Sequence, residues 1–418
     1  MRPMSQSSVC YTGIVEEGRP ATVAIVRAED YRPETLLPAM ERALSLIGGL
    51  DGIVARGAKV FVKINHLPPP SPPERGIVTH PAFTAAFLQL LKATGADITV
   101  GDDIDAGEDG FVVSGYREMC KRMGVKLVNL RESGFVPVNC DGACLHEVYI
   151  SRVVAEADVI INLPKLKTHS LTTMTGGVKN LYGVIPIGLR RRYHGEFLNV
   201  ADFARMLVDI FATARPQLTI MDAVDAMEGE GPGSGKMRHV GVILASRDAV
   251  ALDAVAGKII GLEPARVLTT THAAARGLGE ADLSRIQIAG GTIAAVAVRD
   301  FKLPATIAVN VTRRAPRFLG RLVIAQITPR PSVRKKDCTA CGKCAAACPT
   351  GAATVPDGTA RIDYALCIRC MCCHEVCRFG AVVPRRPQPG QMVYGVVDGV
   401  RKVGKRQSGR FAFRSHVH

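Results

Sequence analysis

Residues 338–349 read CTACGKCAAACP and residues 367–378 read CIRCMCCHEVCR. The first run places Cys338, Cys341, Cys344 and Cys348 at gaps of two, two and three residues. The second repeats that spacing at Cys367, Cys370, Cys373 and Cys377, each 29 positions beyond its counterpart. Gly351 and Ala352 map onto Gly380 and Ala381 by the same shift, so the segment is an internal duplication. Nine of the chain's 13 Cys fall between residues 338 and 377. Two-residue gaps let three consecutive sulfurs face one centre, and a cubane iron–sulfur cluster then needs a fourth thiolate from elsewhere. Zinc is the competing reading, but its closed four-ligand sites are typically built from two separated pairs.

Residues 336–384 resemble the bacterial two-cluster ferredoxins. That resemblance implies two 4Fe-4S clusters and a crossed ligation, in which the Cys after the three-residue gap serves the other cluster. It assigns Cys338, Cys341, Cys344 and Cys377 to one cluster, and Cys367, Cys370, Cys373 and Cys348 to the other. The sequence departs from the pattern at Arg378, where the first run has Pro349, and at Cys372, a ninth thiol beside Cys373 that is either spare or exchangeable with it. Basic neighbours such as Lys343, Arg369 and Arg378 favour the reduced, more negative state of such clusters.

Outward from the cysteines the charge is uneven. Residues 1–312 hold 33 basic and 33 acidic side chains, whereas residues 313–336 hold eight basic and no acidic ones, and residues 384–418 hold eight basic and one acidic. The net charge of +15 therefore sits on two segments flanking the cysteine runs. Such segments steer acidic partners over long range. An electron-transfer protein of ferredoxin or flavodoxin type, or another redox enzyme, is expected. The absence of Trp and of any recognition motif argues against nucleic acid. No apolar run has the ~18–20 residues of a membrane span. The first residues carry neither an apolar signal core nor a twin-arginine pair, so a cytoplasmic location is expected, where thiols stay reduced.

Residues 21–290 alternate two periodicities. Strands are predicted at Thr22–Arg27, Lys59–Ile64, Ile98–Gly101, Lys126–Leu130, Asp158–Leu163, Leu218–Met221, Val240–Ala245 and Ile286–Ala289. Helices are predicted at Pro33–Ile47, Pro81–Thr94, Val200–Ala214 and Asp248–Ile260. The alternation implies an α/β fold, a mixed or parallel sheet with flanking helices, joined to a small α+β cysteine-rich domain. The expected division is an N-terminal extension (1–20), an α/β domain (21–300), a basic linker (301–335), the two-cluster domain (336–384) and a basic tail (385–418). Polar loops are predicted at Asn65–His80, Lys165–Asn180 and Asp222–Lys236, each after a strand, where α/β folds gather ligands.

The stretch from Ile161 to Gly195, INLPKLKTHSLTTMTGGVKNLYGVIPIGLRRRYHG, is the most polar of these. Its lysines suit a carboxylate or phosphate. Lys165, Lys167, Lys63, Asn65 and Asn180 are candidate substrate-binding residues; His169, Glu228 and Lys179 are candidate catalytic residues. Cys140 and Cys144 read as buried inert thiols. A phosphate loop fails at Glu230 and Met237, a dinucleotide fingerprint fails at Ser234, and there is no nucleophile elbow.

Val60–Asn65 (VFVKIN), Leu163–His169 (LPKLKTH), Thr175–Gly183 (TGGVKNLYG), Asp222–Pro232 (DAVDAMEGEGP) and Ser246–Asp253 (SRDAVALD) resemble the family called domain of unknown function 362 over most of residues 20–290. That family often carries a C-terminal two-cluster ferredoxin module. It is also distantly similar in fold to nickel-dependent lactate racemases, a likeness that transfers no function, so nickel is not inferred. The expected activity is an iron–sulfur oxidoreductase passing electrons to an anionic substrate or further cofactor in the α/β domain. The alternatives are an electron-transfer or assembly subunit, favoured by copurification with a redox enzyme, and an iron–sulfur sensor, favoured by ligand binding without turnover.

Overall fold

The computed structural model describes residues 20–67, 70–104, 109–304 and 329–385. The expected N-terminal extension, most of the basic linker and the basic tail lie outside the described residues.

Twelve strands form the first region. They are β1 (Thr22–Arg27), β2 (Lys59–Ile64), β3 (Asp97–Asp102), β4 (Lys126–Asn129), β5 (Phe135–Asn139), β6 (Glu147–Ser151), β7 (Val159–Leu163), β8 (Lys165–His169), β9 (Thr173–Thr175), β10 (Leu218–Glu228), β11 (Lys236–Ser246) and β12 (Gln287–Gly290). The main sheet runs β12-β1-β11-β10-β7-β2-β3-β4, with β8 beside β10 and β9 beside β8. The pairs β2–β3, β3–β4, β2–β7 and β7–β10 are parallel, while β11 is antiparallel to β1 and β10. The sheet is thus mixed and mostly parallel.

Both faces are covered, because the strands alternate which core they feed. Val60, Val62 and Ile64 point into one cluster with the helices Pro33–Leu46 and Pro81–Lys92, while Phe61 points to the opposite face with the helix Val200–Ala214. Val23 and Ile25 face a third cluster with the helix Ala249–Ile259. His80, Asn199 and Asp248 cap three of these helices through their side chains.

Two predicted loops are strand instead. Lys165–His169 and Thr173–Thr175 form an antiparallel hairpin beyond Pro164, which only interrupts the chain, and Asp222–Glu228 continues β10. Polar side chains hid both strands, since their partners are ionic and inward: Lys165 pairs in register with Asp222. Gly176 and Gly177 do not adopt left-handed angles. At Gly176 the constraint is space, for a Cβ there would lie 2.2 Å from Asp253 Oδ1.

The cysteine-rich region adds β13 (Arg330–Val333), β14 (Ala353–Thr354), β15 (Arg361–Ile362) and β16 (Val382–Arg385). β13 pairs with β16 and β14 with β15, so each repeat completes its ribbon with the other. One-turn helices at Lys343–Ala346 and Cys372–Glu375 repeat at the 29-residue shift. So do the left-handed residues: Ala340 matches Arg369 (φ 57° and 59°), and Gly342 matches Met371 (φ 75° and 66°). Non-glycine residues accept that conformation at a cost of order 1–2 kcal/mol where the surroundings impose it. Here the imposition is the wrapping of three thiols about one space.

Candidate functional site

Eight cysteines divide between two small, largely apolar cavities. Cys338, Cys341, Cys344 and Cys377 line one with Val355, Ala360 and Phe379. Cys348, Cys367, Cys370 and Cys373 line the other with Ile362 and Ile368. Backbone N–H groups already point at sulfur: Ala360 N donates to Cys338 Sγ and Ala353 N to Cys348 Sγ, both at 3.4 Å. No three His, Cys, Asp or Glu among the described residues converge tightly enough for a single ion. Four thiols around one space are the donor set that a 4Fe-4S cluster takes. Cys372 lines neither cavity. A hydrogen bond to Cys370 and burial push its thiol far above the usual range, and the same bond holds Cys370 below it.

A third cavity, of about 410 Å³, lies where the two regions meet. The α/β region supplies Lys63 and Asn65 from the end of β2, His66 after it, Asp102 from β3, Lys167 and His169 from β8, Thr175 from β9, and Lys179, Asn180, Arg190 and His194 from the chain that follows. The cysteine-rich region supplies Cys341, Lys343, Cys372, Glu375 and Arg378. Three contacts tie the walls together. His169 Nε2 stands 3.3 Å from Glu375 Oε1, His374 Nε2 reaches Glu230 O at 3.2 Å, and Arg75 Nη1 donates to Arg378 O at 3.2 Å.

The lysines expected to act together have different environments. Lys63 Nζ is 2.7 Å from Asp102 Oδ2, both groups buried; burial pushes the lysine down and the carboxyl up. Lys165 Nζ is 2.8 Å from Asp222 Oδ2 and 2.6 Å from Tyr31 Oη, and it does not line the junction cavity. Its expected place in the anion site is corrected: Lys165, Lys167 and His169 share one face of β8, but Lys165, at the start of the strand, is taken up by Asp222 and Tyr31, while Lys167 and His169 further along it line the cavity. Lys167 Nζ donates to Ile77 O at 2.7 Å. Burial, then the charges of Lys179 and Lys165, lower it to about 7. Lys179 lies over the Tyr182 ring at 5.4 Å, with no ion pair among the described residues, and burial lowers it too.

His169 Nδ1 accepts from Leu171 N (3.0 Å) and Thr172 N (3.4 Å), so Nε2 carries the proton. Burial and Lys179 keep the ring neutral. Glu228 also departs from expectation: it is buried away from the cavity, and its Oε2 accepts from Lys302 N at 3.0 Å, a structural bond closing the end of β10.

Six buried polar atoms on cavity residues have no hydrogen-bond partner: Asn65 Oδ1, His66 Nδ1, Thr175 Oγ1, Asn180 Oδ1, Arg190 Nε and His194 Nδ1. Buried polar atoms are ordinarily satisfied, so their concentration at one space marks room for a polar ligand or ordered water. Sequence reasoning missed His66, Asp102, Arg190 and Glu375. One signal pointed to the last: residues 372, 374 and 375 break the repeat, replacing Lys343, Ala345 and Ala346 with Cys, His and Glu. Cys372 and Glu375 line the junction, and His374 bonds across it.

Comparison with known proteins places this geometry in context. Residues 60–258 match the family model Domain of unknown function (DUF362), and residues 330–378 match that of a 4Fe-4S dicluster domain. The chain is 34% identical over 251 residues to the thylakoid-associated protein sll1697 of Synechocystis, covering 59% of this chain and 77% of that one. The lactate racemase apoprotein from Thermoanaerobacterium thermosaccharolyticum superposes with a TM-score of 0.38 at 13% identity, covering 57% of this chain and 56% of that structure. Among the described residues no helix is long and apolar enough to cross a membrane.

Proposed function

The chain belongs to the domain of unknown function 362 family and carries an iron–sulfur electron-transfer domain; from that premise we propose an oxidoreductase acting on a small anion held between its two regions. In this reading Cys338, Cys341, Cys344 and Cys377 hold one 4Fe-4S cluster, and Cys367, Cys370, Cys373 and Cys348 hold a second. Bound there, the clusters supply single electrons. The observation that carries the reading is the junction cavity, whose wall includes both Cys341 and the lysines of the α/β region.

Lys167 and Lys179 attract and orient the anion, in a space where burial strengthens every charge interaction. Lys63, held by Asp102, contributes positive potential from behind, and Asn65 and Asn180 offer amide groups for hydrogen bonds. His169 presents Nε2–H toward the cavity and is the candidate proton donor. The one-turn helix Cys372–Glu375 and His374 close the opposite wall and exclude water. An acidic electron carrier docks on the basic flanks of the cysteine-rich region, and the cytoplasm is the proposed compartment because the thiols must stay reduced.

Iron and acid-labile sulfide counting on anaerobically purified protein, with EPR, tests the number of clusters: about eight irons per chain are expected. Native mass spectrometry of the same material tests the site. A small anion released from the wild type and missing from Lys179→Ala supports it; an identical complement in both proteins removes the cavity from the reading.

A further inference from the structure

We infer that Lys167 is a carbonyl-capturing amine and that the cavity takes a small oxo acid, its carbonyl carbon meeting Lys167 Nζ and its carboxylate lying toward Lys179. This rests on the junction cavity being the substrate site. Three lysines are buried within a few residues' reach of one another in the fold, and two have a carboxylate within 2.8 Å: Lys63 has Asp102 and Lys165 has Asp222. Lys167 is equally buried, at 1% exposure, yet its partner is the neutral carbonyl of Ile77. A lysine kept dry without a counter-ion beside a second ammonium group is the arrangement that frees an amine for attack on carbonyls.

The groups facing Lys167 settle its state. Desolvation disfavours the ammonium form most, Lys179 and Lys165 disfavour it further, and Asp102 and Glu375 favour it less strongly. His66 and His169 are held neutral and do not compete for the proton. With a value of about 7, roughly half the side chain is free amine at neutral pH. Lys179, which has no carboxylate partner among the described residues, supplies the charge that an oxo acid needs at its other end.

The step is a condensation and balances without a redox partner. Nζ attacks the carbonyl carbon, a C–N bond forms, the C–O bond breaks, and the oxygen departs as water with both hydrogens of the amine. An imine remains between Lys167 and the carbon skeleton.

The test uses the full chain, purified anaerobically, with pyruvate and sodium cyanoborohydride, followed by peptide mass mapping. The expected result is one reductively trapped adduct on Lys167, absent from Lys63 and Lys165 and lost in Lys167→Arg, which keeps the charge. Trapping should reach half its maximal rate near pH 7 rather than near pH 10. No adduct, or one spread over surface lysines, overturns the inference, and the wild-type map alone decides this should the variant not fold. Propionate has the same charge and no carbonyl. If propionate and pyruvate binding both weaken at least fivefold in Lys179→Ala while no adduct forms, the imine is refuted and the site survives. If neither binding responds to Lys179→Ala, the site reading itself falls.

Discussion

In the cysteine-rich region, Cys338, Cys341 and Cys344 reach one cavity through a tight loop, and left-handed residues at fixed positions aim them. In the α/β region, Lys63, Lys167 and Lys179 reach the junction from β2, β8 and the segment after β9, and what aims them is the sheet and, for Lys63, a buried ion pair. The first arrangement is local, and a cluster bound there would itself stabilise it. The second depends on the whole sheet. Damage should therefore read out differently: as lost cofactor in one region and as lost fold in the other.

The largest effect should come from a ligand substitution. Cys341→Ser is expected to remove about half of the bound iron, leaving the α/β region's circular dichroism unchanged. Cys372→Ser, which faces the junction and neither cluster cavity, should retain the wild-type iron content. Equal iron loss in the two variants would mean that Cys372 is itself a required cluster ligand.

Next in size are the buried lysines. Lys165→Met takes the cation from the buried Asp222, which keeps its bonds from Tyr31 Oη and His80 N, and is expected to cost about 3–5 kcal/mol in denaturant unfolding. Lys167→Met orphans no carboxylate and should change stability by less than about 1–2 kcal/mol, while weakening anion binding. If the two substitutions destabilise equally, the division between structural and site lysines is wrong.

Asp253 offers a subtler test on the α/β side. Its Oδ1 accepts from Gly177 N at 2.6 Å and its Oδ2 from Val178 N at 3.1 Å, fixing the turn that presents Lys179. Burial raises its pKa to about 7. An acid whose folded value exceeds its unfolded one binds more protons when folded, so its contribution to stability falls as pH rises from about 4 to about 7. Asp253→Asn should remove that slope, with a difference between the two proteins on the order of 2–4 kcal/mol across the window. Parallel stability profiles would show that Asp253 does not titrate there.

The same contrast explains what could be read from the chain. Fixed spacing made every cysteine of the two runs visible, because a loop that wraps one centre has one periodicity. Apolar strands such as Thr22–Arg27 and Lys59–Ile64 were legible to the residue, since each is a short β-branched run buried on both faces. β8 was not, because KLKTH is polar in composition yet wholly buried, its charges answered by Asp222 and by the cavity. Nor could Glu375 be assigned to Lys167's surroundings, since more than two hundred residues separate them and only the docking of the two regions brings them together.

The smallest predicted effect concerns the outer face of the cysteine-rich region, where charge is neither local ligand nor buried pair. Arg334 is engaged by Asp337 at 2.9 Å and Arg330 stacks on Tyr364 at 4.3 Å, whereas Lys335 and Lys336 are exposed beside them. Steering by such exposed charges acts over roughly 10 Å at 0.1 M salt and fades as salt rises. The double variant Lys335→Glu with Lys336→Glu is expected to slow stopped-flow reduction by an acidic flavodoxin by about three- to tenfold at low salt. Near 0.5 M salt the difference should vanish, and reduction by dithionite should be unchanged throughout. A deficit that persists at high salt, or extends to dithionite, would mean that the lysines shape the cluster region rather than guide a partner to it.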